Sequence, residues 1–326
     1  MFRTKITEMF GIKYPVIQGG LQGLGTSPLV AAVSKAGALG LITAGSYKDK
    51  QEMKKDIQCV RQQTSAPFGV NIAIGIRREM DEFIDGVIEE RVPIVFTSGS
   101  NPEKYMSRLK AAGVKVIHVV PSVKFAKKAE AIGCDAVVIV GYECGGHPGL
   151  ADNTSLTLIP KVVQELSIPV IAAGGFSDGK GLVAALSLGA EAVQMGTRFL
   201  ATQENPVHDL VKRKIVELDE TSTAIVKRSI RKPMRVMKTE VSEKVIELEN
   251  HGASLEEIMP YIGGTSYKKL IEDGDLTQGV ISLGQVVGMI HDIPTVQGLI
   301  KQIMTEAFER VNHLSKLSKL IEEEIK

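Results

Sequence analysis

Chemistry in this chain points first to a histidine set among glycines. The run Gly141-Tyr142-Glu143-Cys144-Gly145-Gly146-His147-Pro148-Gly149 surrounds His147 with residues that interrupt helices and strands. His147 is therefore expected on an uncrowded loop, where its imidazole can reach a ligand. An unperturbed imidazole pKa of about 6.5 suits proton abstraction at neutral pH. The same run would also serve as a surface turn with an incidental histidine. Cys144 has no activating neighbour in sequence and reads as a structural or incidental thiol.

Two other runs suit an anion. Ala172-Ala173-Gly174-Gly175-Phe176-Ser177-Asp178-Gly179 and Gln194-Met195-Gly196-Thr197-Arg198-Phe199 place glycines where helical patterns begin. Backbone N–H groups and the helix dipole would attract a phosphate there, although tight turns alone also favour glycine. Asn71, closing Pro67-Phe68-Gly69-Val70-Asn71, could donate to a ligand carbonyl or bond the following turn. His118 lies in a strand-like run and could face the barrel interior or its mouth. His208, His251, His291 and His313 fall in or beside helical patterns and read as solvated or capping. There is no HExxH and no carboxylate cluster at metal spacing, so no catalytic metal is expected. No GxxxxGK[ST] loop is present, which argues against an NTPase.

Positioning these runs takes a parallel sheet. Short β-branched runs alternate with amphipathic helical stretches about 20–25 residues apart. The strands are expected at 16–18, 39–43, 68–72, 93–97, 116–120, 136–140, 170–173 and 192–195. They are almost continuously apolar, as strands buried on both faces must be. Helical patterns lie between them at 29–36, 51–63, 80–89, 102–111, 123–132, 156–166 and 179–188. About eight strands is the closure number of a (β/α)₈ barrel, whose loops after the strands carry the active site. An open doubly wound sheet would want an acid at the end of the second strand; here that strand runs into Ala44-Gly45-Ser46. The barrel is therefore preferred, and its loops after strands seven and eight are the usual phosphate site.

Composition agrees. The chain has 326 residues, 44% hydrophobic and 24% charged, which suits a large core. A barrel needs about 250 residues, leaving enough for a smaller appendage. Net charge is only +1 and no long basic block occurs, so nucleic acid is a poor partner. Three cysteines without CxxC spacing argue against disulfides and zinc and fit a reducing cytosol, so a cytoplasmic location is expected. The first residues lack a signal-peptide core, and no apolar run is long enough for a membrane span.

After about residue 204 the pattern changes. Segments 207–218 and 239–251 read as charged helices, and Ser254 with Glu257 makes a capping box for 255–262. No further strand is expected. The reading is a barrel from 1–204 and 275–326, with 205–274 inserted as a smaller helical domain or lid. The apolar, glycine-spaced run 279–290 is expected as a buried helix, and 294–326 as an amphipathic one.

These motifs carry a resemblance. Pro15-Val16-Ile17-Gln18-Gly19-Gly20, PFGVN, GYECGGHPG, IPVIAAGGFSDG and AVQMGTRFL together resemble the nitronate monooxygenase family, formerly called 2-nitropropane dioxygenases. That family also contains enoyl-ACP reductase II and NADH:quinone reductases. The resemblance covers nearly the whole chain and implies FMN bound in the barrel. It implies that Gly20, Leu21 and Gln22 line the isoalloxazine and that Asn71 sits near the ring. Gly145 and Gly146 would contact the flavin, and Gly174, Gly175, Gly196 and Thr197 would hold its phosphate. His147 matches the family's active-site histidine.

The substrate is less marked. QGGLQ at 18–22 replaces the QAPM of many nitronate monooxygenases and is similar to the reductase branches. HVVPSV is similar to enoyl-ACP reductase II, while GYECGGHPG and ATQENPVH are similar to the nitronate or quinone branch. The leading expectation is nitronate oxidation by O₂ to a carbonyl compound and nitrite, with His147 as base or charge partner. The rival is an NAD(P)H-dependent reductase of a quinone or an enoyl thioester. A third class, a flavin or phosphate-binding module without catalysis, leaves a loop histidine without a role. If the chain self-associates, a homodimer is expected.

Overall fold

Continuous apolar runs become the staves of a barrel in the computed structural model, which describes residues 2–75 and 79–325. The strands are β1 (Val16–Gln18), β2 (Gly40–Thr43), β3 (Phe68–Ile74), β4 (Ile94–Gly99), β5 (Lys115–Val120), β6 (Ala136–Val140), β7 (Val170–Ala173) and β8 (Ala192–Met195). Each expected strand forms, with ends shifted by two residues at most. Neighbours pair in parallel from β2 round to β8, and β8 pairs with β1. The last seam, β1 to β2, is thin: one bridge joins Ile17 to Leu39. The buried Gln18 side chain fills the gap, its Oε1 accepting from the Leu41 N–H at 3.0 Å. The chain is a (β/α)₈ barrel.

Strand alternation splits the buried residues into two layers. Ile17, Leu41, Phe96, Ile117, Val138 and Ile171 fill the barrel. Val16, Ile42, Val70, Val95, Val116 and Val193 face the surrounding helices. Each such side chain, taken from water, contributes about 1.5–3 kcal/mol. A short helix not expected from sequence, Lys5–Phe10, plugs the bottom; Ile6 and Phe10 join the barrel interior, and Phe10 lies 5.9 Å from the Phe96 ring.

Two expectations for the later chain are corrected. Within 205–274 the structure holds an antiparallel pair, β9 (Thr223–Val226) and β10 (Met234–Met237), as well as helices. Each strand has only four residues, and β10 carries a buried arginine at its centre, so no apolar alternation advertises them. The run 279–290 is extended, followed by a 3₁₀ turn over Gln285–Met289, and is not an α-helix. Its glycines serve close backbone contact instead: a methyl at Gly284 would lie 2.8 Å from the Glu143 carbonyl, and one at Gly288 2.4 Å from the Glu220 nitrogen. The final helix, Val296–Ile325, packs against the helix Gly179–Ser187, where Glu306 accepts the Gly179 N–H at 3.0 Å. Lys326, included in that expected helix, lies outside the described residues. Among the described residues no helix is long and apolar enough to cross a membrane.

Candidate active site

The strand ends converge on a cradle made of backbone. Gly20, just past β1, faces Asn71 of β3 so closely that a methyl there would fall 2.5 Å from Asn71 Oδ1. Asn71 points inward because its neighbours Val70 and Ile72 point outward. Leu21 donates its N–H to Thr43 Oγ1 at 2.9 Å, and its side chain is the nearest group, 3.7 Å away, to a methyl placed on Gly196. Space is therefore open above Gly196. Gln22 turns its amide to the Gly45 carbonyl at 2.5 Å and gives its own carbonyl to Tyr267 Oη at 2.6 Å. Gly19 lies against Gln194 of β8.

The opposite rim joins β6, β7 and β8. Gly174 and Gly175 both take left-handed φ, +86° and +89°, which glycine adopts without steric cost. A methyl on Gly174 would sit 2.8 Å from the Gly141 carbonyl, so only glycine lets these two loops meet. Glu143 fixes the β6 loop by accepting the Ser155 N–H at 3.0 Å and its hydroxyl at 3.1 Å. Thr197 opens a short helix, Thr197–Leu200, and its Oγ1 accepts from the Gly284 N–H at 2.9 Å. Gly145 packs against Leu283 and Gly284.

A phosphate and a planar polar ring would meet suitable partners here. Five buried side-chain polar atoms lack a partner among the described residues; besides Arg198 Nε, whose guanidinium already pairs with Asp292, two belong to the ends of β7 and β8. Ser177 Oγ belongs to the loop after β7, and Gln194 Oε1 to the inward face of β8. Unpaired buried polar atoms are costly and rare, so a ligand at both fits the chemistry of the set. Sequence reasoning quoted both residues but assigned neither. Parity could have found Gln194, which shares a strand face with the buried interior residue Ala192.

His147 lies at the mouth, under an arm formed by β9, β10 and the loop between them. Gly146 and Arg235 exchange backbone hydrogen bonds at 3.0 and 2.6 Å, pinning the arm beside the histidine. Arg235 is buried; its guanidinium stacks 4.6 Å from the Tyr142 ring centroid and donates to the Tyr142 carbonyl at 3.1 and 3.3 Å and to Thr223 Oγ1 at 3.1 Å. Lys227 Nζ stands 3.4 Å from His147 Nε2. His147 as a residue is exposed, while the neighbouring loop and arm crowd its ring. Desolvation first, then Lys227 and Lys232, push its pKa down to about 4. It is thus neutral at pH 7, with Nε2 placed to accept from the ammonium and the ring proton on Nδ1.

Other candidates fall away from the mouth. His118 faces neither interior nor mouth: it points outward between Ile117 and Val119, bonded to Thr97 Oγ1 at 2.9 Å, and burial lowers its pKa. Burial pushes the Cys144 thiol up to about 12, which keeps it protonated and inert. His208 caps a helix, accepting the Leu210 N–H at 3.2 Å.

Comparison with known proteins places this geometry in a lineage. The model of the nitronate monooxygenase family matches residues 3–91 and 73–306. The chain is 40% identical to FabK from Thermotoga maritima, with a TM-score of 0.92 over 97% of this chain and 100% of that one. It is 34% identical to the (3aS,4S,5R,7aS)-5-hydroxy-7a-methyl-1-oxo-octahydro-1H-indene-4-carboxyl-CoA dehydrogenase of Rhodococcus jostii (strain RHA1), over 97% of this chain and 98% of that protein. A probable nitronate monooxygenase of Staphylococcus aureus (strain Newman) is 37% identical over 76% of this chain and 81% of its own length. An oxidoreductase by this descent, the chain belongs to the nitronate monooxygenase family.

Proposed function

We propose that this chain is an FMN-dependent oxidoreductase that reduces the carbon–carbon double bond of an enoyl thioester with NAD(P)H. The observation that carries this reading is the Lys227 ammonium set 3.4 Å from a neutral His147 at the mouth. Reduction of a conjugated thioester develops negative charge on its carbonyl oxygen, which nearby cations and N–H donors stabilise. The same cations oppose electron withdrawal from an anion, and an imidazole pushed down to about 4 is a weak base at pH 7. Both facts favour reduction over oxidation of a nitroalkane.

Bound FMN would supply the redox chemistry that no side chain here provides. Gly174, Gly175, Ser177, Gly196 and Thr197 would hold its phosphate, while Gly20, Leu21, Gln22, Asn71, Gly145 and Gly146 would border the ring. His147 would orient the thioester oxygen through Nδ1–H, and Lys227 Nζ would hold the ring in that tautomer. The nucleotide supplies two electrons and one proton; the second proton comes from solvent, relayed at the same mouth. We further propose that 205–274 acts as the cover of this site, and that the enzyme works in the cytosol, where NAD(P)H is available.

Nitronate oxidation is the second reading, favoured by the family match and by Lys227, which would also bind a small anion. Anaerobic mixing of the yellow protein separates the two. NADH or NADPH should bleach the flavin within the turnover time, and crotonyl-CoA should restore its colour. Inertness to both nucleotides, with bleaching by propyl nitronate, would overturn the reductase reading.

A further inference from the structure

Most of the arm's charge has no part in that reaction. The nine residues from Lys227 to Arg235, at its turn, hold five cations and no acid. Lys227 is turned to His147, Arg235 is buried on Tyr142, and Arg228 pairs with Asp152 at 3.1 Å. Arg231 and Lys232 are exposed, and neither forms an ion pair among the described residues.

The turn also carries backbone strain at two of its charged residues. Lys227 and Arg231 adopt φ of +62° and +56°, a region where glycine or asparagine fits better. Glu249 holds the turn without pairing its exposed cations: it accepts from the Lys227 N–H at 2.7 Å, the Ser229 N–H at 3.0 Å and the Ser229 hydroxyl at 2.7 Å. The nearby carboxylates therefore brace the arm or pair Arg228, and leave two adjacent cations pointing to solvent. Of the exposed pair only Arg231 carries this strain, and a strained backbone kept at a charged residue, where glycine or asparagine would relieve it, points to a role for that side chain.

We propose that Arg231 and Lys232 bind the phosphate groups of a coenzyme A thioester, so that its acyl end reaches His147. This rests on the thioester reading above. Two neighbouring cations of different shape suit a polyphosphorylated handle better than one carboxylate: the guanidinium forks onto phosphate oxygens, and the ammonium adds a point charge. Exposed charges of this kind act over about 10 Å at 0.1 M salt, so binding should weaken as salt rises.

The test is equilibrium calorimetry on the FMN-loaded full chain, with coenzyme A, 3′-dephospho-coenzyme A and pantetheine as probes. Coenzyme A should bind at least tenfold tighter than pantetheine at low salt, and the preference should shrink at high salt. The double variant Arg231→Gln/Lys232→Gln should lose most of that preference while its flavin content and melting temperature hold. Equal binding of coenzyme A and pantetheine overturns the proposal, as does a preference that survives the double substitution. Weakened NADPH binding with coenzyme A binding intact also overturns it, assigning the cations to the nucleotide. Failure of the reductase reading looks different: coenzyme A binds through these cations, yet no enoyl thioester is reduced.

Discussion

Replacing Lys227 with Gln should raise the pKa of His147 by about one unit. Two unit charges 3.4 Å apart repel by about 1.2 kcal/mol in water and about 5 kcal/mol at an effective dielectric of 20. The imidazole is lowered from 6.5 to about 4, a displacement worth roughly 3.4 kcal/mol. Desolvation is the largest cause and Lys227 the second, so the ammonium's share is below half, at most about 1.7 kcal/mol. That bound selects the watery end of the Coulomb range, as solvent screening at the mouth requires. The assay is an NMR titration of the His147 ring Cε1–H in the natural protein and the variant. The natural midpoint should lie near 4 and move up by about one unit in Lys227→Gln, and high salt should reproduce part of the move. A variant midpoint equal to the natural one would refute the assignment of Lys227 as a charge partner. The sign for stability follows from proton counting. The folded pKa is below the unfolded value, so the unfolded chain binds more protons between the two. Stability is therefore lost as pH falls from about 6.5 towards 4, and Lys227→Gln should blunt that loss.

Two further predictions concern the cradle. Ser177→Ala removes a buried hydroxyl with no partner among the described residues; the melting temperature of the flavin-free protein should hold while FMN affinity falls about five- to fifteen-fold. Unchanged affinity in a flavin titration would remove Ser177 from the site. Gly20→Ala puts a methyl 2.5 Å from Asn71 Oδ1 and should lower flavin occupancy; occupancy equal to that of the natural protein would remove Gly20 from the border of the ring.

How much of this could be read from sequence depends on whether burial leaves a local mark. The eight barrel strands did, because a strand covered on both faces is apolar at every position, as in Ala136–Val140. His147 stood out because its glycine neighbours exclude regular structure. Its partners did not: Lys227 is 80 residues away in sequence, and nothing local says that an arm folds back. Arg235 is a harder case, since a buried arginine in a four-residue strand looks like the polar face of a helix. The run 279–290 misled in the opposite way. Its apolar residues fit a helical period, but the glycines at 284 and 288 answer to backbones from distant loops, a tertiary demand that overrides periodicity.

Cradle and arm differ in kind, and the join between them decides how they influence each other. The cradle is backbone and small polar groups fixed by the barrel, so changes there should alter cofactor affinity. The arm is charge carried on a short, strained turn, so changes there should alter which substrate is held. They meet at the β6 loop, which is braced from two sides: Glu143 ties it to Ser155 on the barrel, and Gly146 pairs with Arg235 on the arm. His147 follows directly after Gly146, so its position depends on both braces at once. A displaced arm would move Gly146 together with His147, and Tyr267 ties the Gln22 carbonyl of the cradle to the same inserted segment. A shift of the inserted segment is therefore expected to reach the ring-facing glycine and the histidine alike. Under the proposed function, substitutions in 205–274 should therefore change flavin affinity as well as substrate choice, and a flavin titration of Tyr267→Phe, which loses the bond to the Gln22 carbonyl, tests that coupling: unchanged affinity would refute it.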